Sequence, residues 1–245
     1  MIRVEKVVHR YEPEAPDVLR GISLTIEEGS YTALIGPNGC GKTTLIKHLN
    51  GLLRPTAGWV SVDGMKTTDT AKIREIRRRV GMVFQNPDSQ IVGMTVEEDV
   101  AFGPGNLGLP SAEIRRRVDV CLQMVGMAGL EKRPPHTLSG GEKRLLSLAG
   151  VLAMDPLYIA LDEPAAYLDH AGKHRVLEHI RRLHREGMAI IHIAHDMRDV
   201  AAADRVVVMD RGQLILAGTG EEVFGQEELL TSVGLDVPPG GGPIC

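Results

Sequence analysis

Residues 36 to 43 read GPNGCGKT, after the apolar run YTALI and ahead of the helical pattern TLIKHLN. The stretch matches G-x-x-x-x-G-K-[ST] between a strand and a helix. There glycine lets successive backbone N–H groups point inward around phosphate oxygens, and the helix N-terminus adds the positive end of its dipole. Gly36, Pro37, Asn38, Gly39, Cys40, Gly41, Lys42, Thr43 and Thr44 thus form a candidate nucleotide cradle. Lys42 is placed to reach the β- and γ-phosphates, and the Thr43 hydroxyl to ligate Mg²⁺. Cys40 lies at the helix start, a setting that favours the thiolate, so alkylating it is expected to block nucleotide binding.

Two further stretches complement the cradle. Residues 157–163, LYIALDE, end an apolar strand in two acids. Asp162 fits the Mg²⁺ partner of a phosphate loop, and Glu163 is placed to orient and deprotonate an attacking water. General-base catalysis contributes about 10² to 10⁴ in rate, roughly 3 to 5 kcal/mol of barrier. Residues 138–144, LSGGEKR, have the spacing of a capping box, Ser139 as N-cap and Glu142 three residues on. Gly140 and Gly141 each cost roughly 1 kcal/mol against Ala in a helix, and in return they admit close approach of another group.

The elements that must position these residues follow from the pattern. IRVEKVV, ISLTI and YTALIG read as strands, the helix after Lys42 stops at Gly51, and WVSVDG, VGMVF, LYIALD, MAIIHIA, VVVMD and QLILAG supply more strands. KIREIRR and a long stretch from about 170 to 185 read as helices, and residues 86 to about 155 as a helical insertion. Apolar strands alternating with helices indicate a mainly parallel sheet covered on both faces. The end, 236–245, is Pro/Gly-rich and expected to be disordered.

Composition narrows the function classes. The chain has 245 residues, 43% of them apolar, with a net charge of −4, which argues against a nucleic-acid binder working through a broad basic field. No apolar stretch approaches the roughly 18 to 20 residues of a membrane span, and the N-terminus lacks the apolar core of a secretion signal. Cys40, Cys121 and Cys245 are too scattered for a disulfide framework or a zinc site. His170, His174, His179 and His184 lie along one predicted helix without an acid or Cys to complete a ligand set, and read as a solvated face. The Arg77–Arg79, Arg115–Arg117 and Arg181, Arg182, Arg185 clusters are expected to be solvated or paired with nearby Glu.

In order and spacing, Gly36 to Thr43, Gln85 after a strand, LSGGE, LDEP at 161–164, YLD at 167–169 and His195 after MAIIHIA resemble the nucleotide-binding subunit of an ATP-binding cassette (ABC) transporter over nearly the whole chain. The resemblance implies an α/β P-loop cassette with a RecA-like core, an N-terminal antiparallel β subdomain and an inserted α-helical subdomain, all within one ATP-binding domain, 1–235. It implies ATP and Mg²⁺ as cofactors, Glu163, His195 and Gln85 as catalytic residues, and Thr43, Gln85 and Asp162 at the metal. Tyr11 would stack on adenine. Ser139, Gly140, Gly141 and Glu142 would close on the γ-phosphate of an opposite subunit, with Asp169 in a loop that crosses the dimer.

The stretch FQNPDSQIVGMTVEEDVAFGPGNLGLP is similar to the ATPases of energy-coupling factor (ECF) importers of vitamins, cobalt or nickel. That implies a second ATPase subunit, identical or paralogous, a membrane coupling subunit and a substrate-binding membrane subunit, with the chain peripheral on the cytoplasmic side of the cell membrane. Helices of the coupling subunit would dock near Gln85 and the helical insertion. Glu97, Glu98 and Asp99 either face basic residues of such a helix or serve the first turn of their own, Thr95 and Glu98 having capping-box spacing.

The alternatives are the ATPase of another ABC importer or exporter, or a soluble ABC ATPase acting on ribosomes or DNA. Against the last stand the absence of a long coiled coil and of an internal repeat. The sequence departs from the family pattern in three places. Tyr167 replaces a small residue, Glu142 stands where Gln is more frequent, and the chain ends soon after VGLD, which favours an ATP-dependent dimer over a constitutive one.

Overall fold

The computed structural model describes residues 1–235, and the tail expected at 236–245 lies outside them. The elements are β1 (Ile2–His9), β2 (Leu19–Ile26), β3 (Tyr31–Ile35), α1 (Lys42–Leu49), β4 (Ala57–Val62), β5 (Met65–Lys66), α2 (Ile73–Arg79), β6 (Val80–Val83), α3 (Val96–Asn106), α4 (Ser111–Met124), α5 (Gly140–Leu152), β7 (Tyr158–Asp162), α6 (His170–Arg185), β8 (Ala189–Ile193), β9 (Arg205–Asp210), β10 (Gln213–Gly218), α7 (Gly220–Phe224) and α8 (Glu227–Ser232).

The strands sort by their patterning. β1 and β2 alternate buried and exposed positions and pair antiparallel with β4 and β5 in the order β2-β1-β4-β5. β3, β6, β7 and β8 are buried at every residue, as strands covered on both faces must be. With β9 and β10 they form a sheet of order β10-β9-β3-β8-β7-β6, parallel except for the edge strand β10.

The period of two divides the side chains of the large sheet between its faces. Tyr158 and Ala160 of β7 pack with Ile2, Val62 and Leu45, which joins the antiparallel sheet and α1 to one face. Ile159 and Leu161 point the other way, into a cluster with Leu146 of α5 and Val176 and Ile180 of α6. Ala33, Ile35, Val206 and Val208 pack with Val223 of α7 and Leu230 of α8, short helices that the sequence pattern did not announce. Each fully buried side chain of this kind contributes about 1.5 to 3 kcal/mol.

The insertion, α3 to α5, uses its polar residues locally. Thr95 accepts the Glu98 N–H, but the Glu98 carboxylate takes the Met94 N–H at 3.1 Å, so the box is not reciprocal. Asp99 is buried and accepts the Val92 and Gly93 N–H groups at 2.7 and 2.9 Å, while Glu97 pairs with Lys132. These acids thus serve contacts within their own chain, and Asp99 also borders a groove between the insertion and α2. Glu113 takes Arg116 and Arg117, and Glu75 takes Arg78 and Arg79, as the cluster spacing implied. Among the described residues no helix is long and apolar enough to cross a membrane.

Candidate active site

Four adjacent parallel strands deliver the site from their carboxyl ends. β3 runs into the loop 36–41 and α1, β8 leads to His195, β7 ends in Asp162 and Glu163, and β6 leads to Gln85. Ligands of open α/β sheets bind at this edge. A cavity of about 770 Å³ opens there, lined by Tyr11, Asn38, Gly39, Gly41, Lys42, Thr43, Thr44, Gln85, Glu163 and His195, together with Val18, Ala166 and Tyr167.

The loop is built around two glycines with no room for a side chain. At Gly36 (φ 152°) a Cβ would lie 2.2 Å from the Met209 carbonyl oxygen and 2.9 Å from Cys40 Sγ. At Gly41 (φ 107°), the N-cap of α1, it would lie 2.8 Å from the Leu19 side chain. Inside this wrap Lys42 is buried, its Nζ donating to the Gly36 and Pro37 carbonyls at 2.6 and 3.0 Å. Cys40 is buried too, and burial pushes its thiol up despite Lys42 Nζ at 3.9 Å. The thiolate expected from the helix start is thus corrected: desolvation outweighs the lysine and the backbone N–H groups that favour the charged form.

Thr43 Oγ1 donates to Asp162 Oδ1 at 3.0 Å, which puts two hard oxygen donors side by side. Burial pushes the Asp162 carboxyl up, and the Thr43 hydrogen bond pulls against it. Gln85 Nε2 donates to Glu163 Oε2 at 2.8 Å. Glu163 sits at φ 47°, its N–H on the Ile193 carbonyl at 3.1 Å, and Tyr167 sits at φ 61°. Left-handed backbone at residues bearing a Cβ costs of order 1 to 3 kcal/mol each and gathers at functional sites.

Tyr11 is 59% exposed at the cavity mouth, its hydroxyl 3.0 Å from Thr44 Oγ1 and its ring edge-on to His9. Behind it His48 donates from Nδ1 to the Thr44 carbonyl at 2.7 Å and lies 3.2 Å from His9. Burial holds the His48 imidazole down to about 4.

The remaining candidates lie elsewhere. Ser139 caps α5 in a full box, Glu142 accepting the Ser139 N–H at 2.7 Å and Ser139 Oγ the Glu142 N–H at 3.3 Å. That carboxylate stays ionised because Ser139 donates to it, and Arg133 lies 3.7 Å away. Gly140 borders a neighbouring depression with Gln85, Asn86, Arg144, Tyr167 and Leu168, whereas Ser139, Gly141, Glu142 and Asp169 line neither hollow. Asp169 caps α6 through the Gly172 N–H at 2.8 Å.

Arg144 and Val18 are among the residues that escaped the sequence reading. Arg144, buried on α5, donates to the Phe84 carbonyl at 2.8 Å, next to Gln85. A charged residue on the face that carries Leu145, Leu148 and Val151 inward was the available signal. Val18, at the cavity wall, gave none.

The ABC transporter family model matches residues 19–166. The chain is 56% identical to the cobalt import ATP-binding protein CbiO of Syntrophus aciditrophicus over 97% of its length and 85% of that protein. It is 50% identical to the energy-coupling factor transporter ATP-binding protein EcfA1 of Caldanaerobacter subterraneus subsp. tengcongensis, over 97% of its length and 87% of that protein. Among solved structures, cbiO1 of Clostridium perfringens, described as part of the ABC transporter complex cbiONQ, superposes with a TM-score of 0.84 at 38% identity, covering 98% of this chain and 96% of that one. An ATP-binding cassette solved as a dimer with ADP and Pi superposes at 0.80 with 26% identity, covering 89% and 98%. By the family match and these relatives, this chain belongs to the ABC transporter family as an ATP-binding subunit and ATPase.

Proposed function

We propose that the chain energises an ECF-type importer, hydrolysing ATP as one of two paired ATPase subunits beneath a membrane coupling subunit that also holds a substrate-binding membrane subunit. The observation that carries this reading is the convergence of Lys42, Thr43, Gln85, Glu163 and His195 on one cavity while the α5 start stays outside it. A second subunit must then bring Ser139, Gly140, Gly141 and Glu142 to the phosphates. The similarity to CbiO and EcfA1 supports the importer class. A soluble ABC ATPase acting on ribosomes or DNA is not favoured.

In this reading Tyr11 stacks on adenine, and the N–H groups of residues 36–44 cradle the phosphates with Lys42 against the β- and γ-oxygens. Thr43, Asp162 and Gln85 offer the oxygen donors that suit Mg²⁺ and would hold it. Bound there, the ion neutralises phosphate charge. Glu163, held by Gln85, takes a proton from water as the water oxygen bonds to the γ-phosphorus and the bond to the ADP oxygen breaks. His195 contacts the γ-phosphoryl group. The partner's α5 dipole and bare glycine N–H groups meet the developing charge where closure excludes water, and Asp169 lies in the crossing loop.

A groove of about 410 Å³ runs between α2 and the insertion, with Val92, Phe102, Leu107 and Met154 as apolar lining and Arg74, Arg77 and Arg78 along one side. It is the docking site in this reading for a cytoplasmic helix of the coupling subunit. The chain then sits peripherally on the cytoplasmic side of the cell membrane, held there by its partners, with no nucleic acid involved.

Glu163→Gln tests the reading. The variant is expected to bind ATP, to turn over about 10² to 10⁴ times more slowly, and to elute as a dimer in ATP and Mg²⁺ by size exclusion with light scattering. A monomer under those conditions, or near-normal turnover, refutes it.

A further inference from the structure

His195 is exposed and its ring makes no hydrogen bond among the described residues, so its place depends on what holds the backbone on either side. On one side the Ala194 N–H reaches the Leu34 carbonyl at 3.3 Å, at the root of the phosphate loop. On the other, Asp196 is gripped by Lys173, whose Nζ lies 3.1 Å from Asp196 Oδ2 and 2.7 Å from Asp199 Oδ1. Arg198 also donates to Asp196, but it is two-thirds exposed and belongs to the same loop, so it fixes the loop to nothing else. Lys173 alone of these groups comes from another element. It sits in the first turn of α6, its N–H on the carbonyl of Asp169, whose side chain caps the same turn. A cavity of about 220 Å³, bordered by Glu163, Lys173 and His195, lies beside the loop, while Met197 and Val200 on the loop's other side are buried in the core with Val206 and Val208.

We propose that Lys173 is a positioning residue that ties the His195 loop to the Asp169 end of α6, so that contact made by a partner subunit at Asp169 sets where His195 stands. This rests on the paired-subunit reading above. A lysine between two partly buried carboxylates is a short two-armed strut, and it passes on displacement more faithfully than a single exposed ion pair, which contributes little. Its effect belongs to the closed, reacting state and not to capture of nucleotide, since Lys173 does not line the nucleotide cavity.

The experiment is steady-state ATP turnover by the purified full chain in Mg²⁺, with Lys173→Met, Lys173→Arg, His195→Ala and the double variant Lys173→Met/His195→Ala. Lys173→Met is expected to lower kcat about tenfold with KM for ATP changed less than about twofold, as for lost positioning at a reacting centre. Lys173→Arg is expected to restore most of kcat. The double variant is expected to be no slower than His195→Ala alone, because the lysine acts through that histidine. An unchanged kcat in Lys173→Met, an arginine variant as slow as the methionine one, or losses that multiply in the double variant would each overturn the role. If Lys173→Met fails to fold, the double variant Asp196→Ala/Asp199→Ala removes both carboxylates the lysine holds and is held to the same kcat and KM criteria. A Glu163→Gln chain that stays monomeric in ATP sinks both readings, whereas a dimerising one beside an indifferent Lys173→Met sinks only this one.

Discussion

The phosphate loop and the start of α5 are both glycine-bearing helix N-termini, yet the chain treats them differently. Around the loop every strong group is already placed by its own subunit: Lys42 is buried against two carbonyls, Thr43 is on Asp162, and Gly36 and Gly41 are wedged where no Cβ fits. At α5 the polar groups satisfy each other, Ser139 with Glu142, and the turn is turned outward. The first is a preformed receptor that loses little freedom on binding. The second is a stable, self-contained tip whose unused N–H groups acquire a role only when another molecule is brought to them.

The largest expected effect on nucleotide binding falls on the preformed half. Lys42→Met removes a charge-assisted donor from the cradle and should weaken ATP binding at least about 100-fold, near 2.7 kcal/mol, by titration calorimetry. Retained affinity would show that the backbone nest suffices without the lysine.

Acid should loosen the same half. His48 binds a proton at 6.5 when unfolded but only at about 4 when folded, because burial disfavours its charged form. Between those values the unfolded chain holds the extra proton, so stability falls as pH falls from 6.5 towards 4. The full contribution is roughly 3 kcal/mol. His192, buried on β8 and held down to about 3, adds in the same direction. Urea titrations across this range should show the slope, and His48→Gln should flatten it.

Ser139→Ala separates tip from receptor. Loss of the cap costs about 1 kcal/mol of stability, while binding of ATP to a single subunit should stay unchanged and turnover should drop. A matching loss of nucleotide affinity in the monomer would place α5 in the receptor after all. The smallest effect is expected for Glu142→Gln, which keeps the box and removes a charge already shared with Arg133: a stability change within about 0.5 kcal/mol and slightly tighter dimerisation in ATP.

Much of this was legible in the sequence because its signals are local. GPNGCGKT carries the glycines of its own turn, LYIALDE its buried strand and LSGGE its own capping box, and the helix at 170–185 stands where its apolar spacing put it. What local pattern did not carry is which neighbours arrive from far along the chain. The Cys40 thiol sits under the wrap of Gly36, so burial pushes it up despite the neighbouring lysine. Asp99 looks like a helix-start acid, but it is claimed by a loop six residues upstream. The helices α7 and α8 are too short for a clear period and owe their place to packing on β3 and β9. The roles of Arg144 and Lys173 emerged only once the fold put Phe84 and the His195 loop against them.

Arg144 carries one more implication. It fastens the body of α5 to the backbone just before Gln85, so the helix that would offer its tip to a partner's nucleotide is bolted beside the residue proposed above to orient the water. In the proposed pair the two bolts would close a ring, and occupancy at either nucleotide would be felt at the other through a rigid rod. ATP hydrolysis by the pair should then be cooperative, with a Hill coefficient above one that Arg144→Met brings down towards independence.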